Sequence, residues 1–228
     1  DVAFTALPRI AGIISASNAS AFAGGIDTET DAERKSRFNA YVSSLNRGTR
    51  TALTYGLNLS YLTDANGNVT ERVISSSVIE PWILDNTQPV SLVHCYVHNG
   101  VGDTSTDLVA RASEVLYGYY DVAGVAVPGW QAAGVKVVVY AATEVTVAVT
   151  GVITAIDGYD NPTLITSAEA AISAYILARG IGVSVIKSEL IQLVMDITGV
   201  FDVTFSAPSS NTSADNMTKL MPGAITIS

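Results

Sequence analysis

The chain's single cysteine and both of its histidines fall within five residues, His94, Cys95 and His98 in the run VSLVHCYVH. Imidazole nitrogen and thiolate sulfur are the donors of a zinc site. The spacing argues against one. The run is rich in β-branched and aromatic residues and reads as a strand, so His94 and His98 share a face with Tyr96 between them, about 13 Å apart at about 3.3 Å per residue. One zinc would need both nitrogens at about 2.1 Å. Polar positions on an interface strand are the simpler expectation. Asp64, Asn66, Gly67, Asn68 and Glu71 resemble a calcium loop in composition, but that loop needs Gly at its sixth position and Glu at its twelfth. A hairpin turn around Asn66-Gly67 accounts for the same residues. Asp157, Asp160 and Asn161 cluster before a helical stretch, where such side chains serve as caps.

Hydrolytic machinery is absent in recognisable form: there is no G-x-S-x-G elbow, H-E-x-x-H, phosphate loop, or G-x-G-x-x-G after a strand. Two histidines on one strand leave little material for a Ser-His-Asp triad, and no carboxylate pair stands apart from caps and turns. The sequence therefore assigns no catalytic residue, no cofactor-binding residue and no metal ligand, and the chain is read as a non-enzyme. N-x-[ST] sequons at Asn18, Asn58, Asn68, Asn211 and Asn216 carry little weight in a chain this rich in Ser and Thr.

The strongest local signals lie earlier. Gly24-Gly25 leads to Thr30, with Glu33 three residues on, the pattern of a capping box. Phe38, Tyr41, Val42 and Leu45 follow at i, i+3, i+4 and i+7, on one helical face. Gly48 stops this helix, and Thr49 caps a second that carries Ala52, Leu53 and Leu57. Residues 1–23 are low in charge, rich in Ala and Ser and interrupted by Pro8, which fits an extended arm or short strand packed on a neighbour.

Beyond the helical pair, a hairpin at Asn66-Gly67, a strand over 73–79 ended by Pro81, and a strand over 90–98 are expected. Asp103, Thr104 or Ser105 caps a helix carrying Leu108, Val109, Ala112, Val115, Leu116 and Tyr119. Residues 124–134 form a loop or crossover, and strands follow over 135–140 and 144–156. A second unit starts near Thr143, with helices over 164–179 and from Ser188, a strand over 200–205, a polar loop over 208–221 and a short last strand over 224–227. The fold class is α+β. An N-terminal arm (1–23) and a helical hinge (24–60) precede two small α+β sandwich units (61–142 and 143–228) with mixed or antiparallel sheets.

Composition bounds the function. Only 14% of residues are charged, against 48% hydrophobic, while a typical soluble domain carries about 25% charged residues. Such a surface suits a protein that buries much of itself against other subunits. The net charge of −9 with only 12 Lys and Arg argues against nucleic acid, whose binding draws on clustered cations. No apolar run reaches the roughly 18 residues of a membrane span, so no membrane partner is expected. One cysteine excludes an intrachain disulfide framework. Starting at Asp1 without a methionine or a signal peptide, the chain is expected to be a fragment, a processed product or the ordered part of something longer.

The order of landmarks resembles the baseplate J-like proteins of contractile phage tails and related contractile injection systems. The residues that carry the likeness are Gly24-Gly25-Ile26-Asp27 with Glu29-Thr30-Asp31 leading to Arg37-Phe38, and Arg47-Gly48-Thr49 before Ala52-Leu53. Gly134-Val135-Lys136-Val137, Thr143-Glu144-Val145, Ser188-Glu189-Leu190, Gly199-Val200-Phe201-Asp202-Val203 and Pro222-Gly223 complete the set. The segment from Tyr61 to Gln88 is longer and more polar than the family pattern, and the N-terminal part is short. The resemblance implies no catalytic residues. It implies a virion protein of the tail baseplate, assembled in the bacterial host cytoplasm, whose wedges self-associate into a ring around the tail hub. Its implied partners are neighbouring wedge subunits and hub, sheath and tail-fibre proteins. A cell-surface or carbohydrate-binding adhesin module is the alternative reading, motivated by abundant Ser and Thr and the acidic balance. A hydrolase using Asp157 and Asp160 ranks last.

Overall fold

In the computed structural model, residues 28–228 are described; the arm expected over 1–23 and the Gly24-Gly25 lead-in lie outside them. Helix α1, Asp31–Ser44, starts at the expected capping box: the Thr30 side chain accepts from the Glu33 N–H, and the Glu33 carboxylate accepts from the Thr30 N–H at 2.7 Å. Helix α2, Arg50–Asn58, is capped by Thr49, which accepts from the Ala52 N–H at 3.2 Å. The two helices differ in what they bury. Ala52, Leu53 and Leu57 of α2 are almost wholly enclosed, whereas Phe38 is 62% and Leu45 59% exposed. The turn between them is held by Trp130: its carbonyl accepts from the Gly48 N–H at 3.0 Å, and the Arg47 guanidinium lies 4.4 Å from its ring centroid.

A small antiparallel hairpin follows, β1 (Tyr61–Thr63) and β2 (Val69–Arg72), turned at Asn66-Gly67. The central sheet has the order β3-β4-β7, formed by Ser75–Ile79, Leu92–His98 and Lys136–Ala141. β3 and β4 run antiparallel, and β4 and β7 parallel. A parallel pair needs a crossover, and helix α4, Thr106–Tyr117, lies on that path. Ser105, one of three cap candidates, is the cap, accepting from the Leu108 N–H at 3.1 Å. Leu53 and Leu57 of α2 pack with Leu108, Ala112 and Leu116 of α4 on Val93, Cys95, Val97 and Val137.

Three short elements went unanticipated here. Pro81 ends β3 as expected but also opens a one-turn helix α3, Pro81–Leu84, because proline suits the first helical position. β6 (Ala126–Pro128) falls inside the expected loop and pairs as a hairpin with β5 (Gly118–Tyr120) before it, and Tyr119, assigned above to the α4 face, lies in β5 past the helix end.

The second core is built on the sheet β10-β8-β9. β8 is Thr143–Ala155 and β9 is Val200–Ala207. Helices α5 (Asn161–Ala178) and α6 (Lys187–Met195) cover one face. Leu164, Ala168, Ile172 and Ile176 recur every fourth residue along α5 and are all buried, so one stripe seats on Val147, Val149 and Ile153 of β8. The Phe205 ring lies over Gly151, its cross-strand partner, where an added Cβ would sit 2.7 Å from Cδ1.

The final strand corrects the sequence reading. β10 is Thr218–Ile227, ten residues rather than a short strand over 224–227, and it runs parallel to β8. Pro222-Gly223 had marked a break. The strand absorbs it as a register shift between Pro222 and Ile225, which an edge strand tolerates because one side of its ladder is unpaired. The fold is α+β.

Candidate functional site

The residues with the best chemical credentials are spoken for structurally. Cys95 is fully buried in the central core, and burial pushes its thiol up to about 12. His94 packs edge-on against Tyr140 at 5.2 Å, and Tyr140 stacks on Tyr96 at 5.5 Å. His98 is buried elsewhere: its Nδ1 accepts from the Gly100 N–H at 2.8 Å, so Nε2 carries the proton and donates to Glu144 at 2.8 Å. The two histidines serve different neighbours. Among the described residues no group of three His, Cys, Asp or Glu side chains is placed to hold a metal.

The would-be calcium loop divides in the same way. Asp64 accepts from the Asn66 and Asn68 N–H groups at 2.8 Å and closes the β1–β2 turn. Glu71 points to the N-terminus of α4, where it accepts from the Ser105 N–H at 3.0 Å, from the Ser105 hydroxyl, and from Asn99 Nδ2 at 2.8 Å. Burial raises its carboxyl pKa, but these bonds outweigh burial and hold it below the usual value. Asp160 caps α5 by accepting from the Thr163 N–H at 3.2 Å, Asn161 is the first residue of that helix, and Asp157 lies exposed in the preceding turn.

The geometry instead singles out a joint and two surfaces. The joint is the handover from β7 to β8, where only Ala142 intervenes. The Ala142 N–H donates to Val97 of the central sheet at 2.9 Å, and the next N–H, Thr143, donates to Met217 at 3.0 Å. His98 reaches Glu144 across this joint, and Glu144 is the cross-strand neighbour of Lys219. Lys219 is buried, its ammonium donating to the carbonyls of Leu177, at 2.7 Å, and of Arg179. Those carbonyls end α5, where a cation complements the helix dipole. Burial lowers the Lys219 pKa and nearby Glu144 opposes the shift. Sequence reasoning missed this chain of contacts. Its one signal was a lysine directly before the apolar pair Leu220-Met221, in a stretch expected as a polar loop.

The first surface is the sheet face opposite α5 and α6. Thr146, Ala148, Thr150, Val152 and Thr154 of β8 point outward and are exposed, beside Thr204 and Ser206 of β9 and Thr226 of β10. Thr226 pairs with Thr150, and Thr204 with Val152. Among the described residues of the three strands, Asp202 is the exposed charge on this face. A broad, nearly uncharged sheet face has no electrostatic means of holding a charged ligand, and its flat row of small side chains suits packing against another protein surface. The second is a cavity of about 340 Å³ where α3 and the central sheet meet the turn at 215–217, with Leu84, Asp85, Tyr96, Asp215 and Met217 in its wall.

Comparison with known proteins converges on the same view. Residues 145–228 match the family model described as Baseplate J-like protein C-terminal domain. No curated protein matches the chain. The matched residues run from β8 through β10 and take in the open sheet face, and they support the baseplate J-like assignment made from the landmark order. That family is one of structural phage proteins, so the match points to a structural role in a phage tail baseplate.

Proposed function

We propose, from the baseplate J-like character of residues 145–228, that this chain is a baseplate wedge subunit of a contractile tail. It self-associates with neighbouring wedges around the tail hub and docks sheath and fibre-network proteins. The observation that carries the reading is that the matched domain presents a nearly uncharged sheet face on one side of β8 and a packed helical layer on the other. The face is available for assembly, and no cluster of chemically active groups competes for that role among the described residues.

On this reading residues 61–142, with α2 packed on them, and residues 143–228 are two domains. The stiff joint at Ala142, locked by His98, Glu144 and Lys219, fixes the angle between them. Helix α1 of the hinge, packed chiefly on α2, is left free to reach a neighbour. Light scattering of the full chain, alone and mixed with the products of adjacent genes, tests the proposal. Formation of a defined multi-subunit complex is expected; a chain that stays monomeric in every mixture and joins no tail assembly would overturn it.

A further inference from the structure

Charge is unevenly divided along the chain. Residues 28–60 hold five basic residues against three acidic, whereas residues 61–228 hold six basic against sixteen acidic. Three of those five basic residues lie in α1, and α1 also carries an unpacked apolar stripe: Phe38 is 62%, Val42 47% and Leu45 59% exposed. Lys35 stands one turn before Phe38, beside Arg34 and Asn39 around a shallow depression. Arg34 and Arg37 are engaged by Asp31 and Glu29, and among the described residues Lys35 makes no ion pair.

The cavity under α3 is the complement of that stripe. Its apolar wall is Leu84, 71% exposed, with Met217, 42% exposed, and the adjoining α3 residues Trp82 and Ile83 are also uncovered. Its charged groups are the carboxylates of Asp85 and Asp215, with Gln88, His94 and Asn216 also in the wall. Hydrogen bonds from Thr87 and Gln88, and from Thr218 and Met217, hold both carboxyls below their ordinary pKa values, so both are anionic at neutral pH. The Tyr96 ring, stacked on Tyr140, forms a floor on which a cation or an aromatic ring can rest. Among the described residues no Lys or Arg lines the cavity.

We propose that α1 of one copy docks in the cavity under α3 of a second copy, with Phe38 against Leu84 and Met217 and Lys35 between Asp85 and Asp215. The two surfaces differ, so the contact is head-to-tail, and repeating it generates a ring or an open filament rather than a closed pair. The inference rests on the self-association in the function proposed above and names the surfaces that carry it. Opposite charge on the two surfaces steers encounter and fixes register, while the central apolar contact supplies most of the affinity.

The test uses the full chain and sedimentation velocity over a range of concentrations. Wild type is expected to form concentration-dependent oligomers that weaken with added salt. Phe38→Glu spoils only the stripe and Leu84→Glu only the cavity, and both positions are exposed enough for the fold to survive, which circular dichroism checks. Each variant alone should associate about thirty-fold more weakly, the size of a hot-spot loss, and Lys35→Glu should weaken association without touching packing. Mixed one to one, Phe38→Glu and Leu84→Glu retain one good cavity and one good stripe between them. They should form a heterodimer that stops at two. Failure of the mixture to recover association, as in a symmetric α1–α1 contact, overturns the inference, as does unchanged association of either variant. So does a wild-type chain that is monomeric throughout, as when its own residues 1–27 cover the stripe. A monomer that still enters a complex with tail proteins overturns only this contact and leaves the wedge reading standing.

Discussion

Replacing Glu71 by alanine offers a sharp test of how the central unit is held. Its carboxylate, on β2, accepts from the Ser105 N–H at 3.0 Å, from the Ser105 hydroxyl, and from Asn99 Nδ2 at 2.8 Å. It thereby ties the hairpin to the first turn of α4 and to the loop after β4. Hydrogen bonds to a charged acceptor contribute about 1.5–3 kcal/mol each, less where water reaches them, and a carboxylate at a helix N-terminus adds about 0.3–1 kcal/mol. Because Glu71 is half-buried and its three bonds share one group, the expected loss is about 2–4 kcal/mol rather than their sum. Urea unfolding of Glu71→Ala should lower the midpoint with little change in slope. Glu71→Gln should retain part of the stability, and Ser105→Ala should cost about 1 kcal/mol as a lost cap. The Glu71→Ala and Ser105→Ala losses should not add, because the two side chains share a bond. The folded carboxyl pKa lies below the unfolded value. Its stabilisation is therefore complete above about pH 4.5 and is lost as pH falls through the folded pKa. Wild type should lose stability over that acid window more steeply than Glu71→Gln. A loss below about 0.5 kcal/mol, or equal acid sensitivity in the two proteins, would refute the reasoning.

Other perturbations follow from the same structure. Gly199 has φ +105°, and a Cβ there would lie 2.3 Å from Tyr159 Cδ1, so Gly199→Ala should cost about 2 kcal/mol or more in thermal unfolding; an unchanged melting temperature would contradict the geometry. Cys95, fully buried with a thiol pushed up to about 12, should resist a disulfide-exchange reagent at pH 8 in the native state and react at once in denaturant. Lys219→Ala removes both donors to the α5 C-terminus and leaves a void, and should destabilise the C-terminal unit by about 2–4 kcal/mol. Hydrogen exchange should show that loss first in the last turn of α5.

Local signals were legible in the sequence where one side chain acts on its own backbone. The Thr30–Glu33 capping box, the Thr49 cap and the Asn66-Gly67 turn needed no tertiary information, and each formed as spelled. The helix expected over 164–179 likewise formed, as α5. What escaped notice depends on partners distant in sequence. β10 was shortened because Pro222-Gly223 reads as a break, and only the parallel ladder on β8 reveals a tolerated register shift. Glu71 was grouped with its sequence neighbours as a turn residue, while its real partner lies 34 residues on. The His98–Glu144–Lys219 chain joins three strands, and no spacing rule connects them. The apolar stripe of α1 was seen, but sequence alone could not show that it stays uncovered while α2 supplies the core.

As the proposed baseplate wedge subunit, this chain is expected to work through its surfaces rather than through chemistry at a site. Electron cryomicroscopy of contractile-tail particles purified from cells that produce this protein tests that reading. The account predicts density for β8, α5, α6, β9 and β10 at the tail baseplate, repeated around the hub, with the Thr146-to-Thr154 face of β8 covered by a neighbouring subunit. Intact tails that lack the chain, or a baseplate position in which that face stays open to solvent, would contradict it.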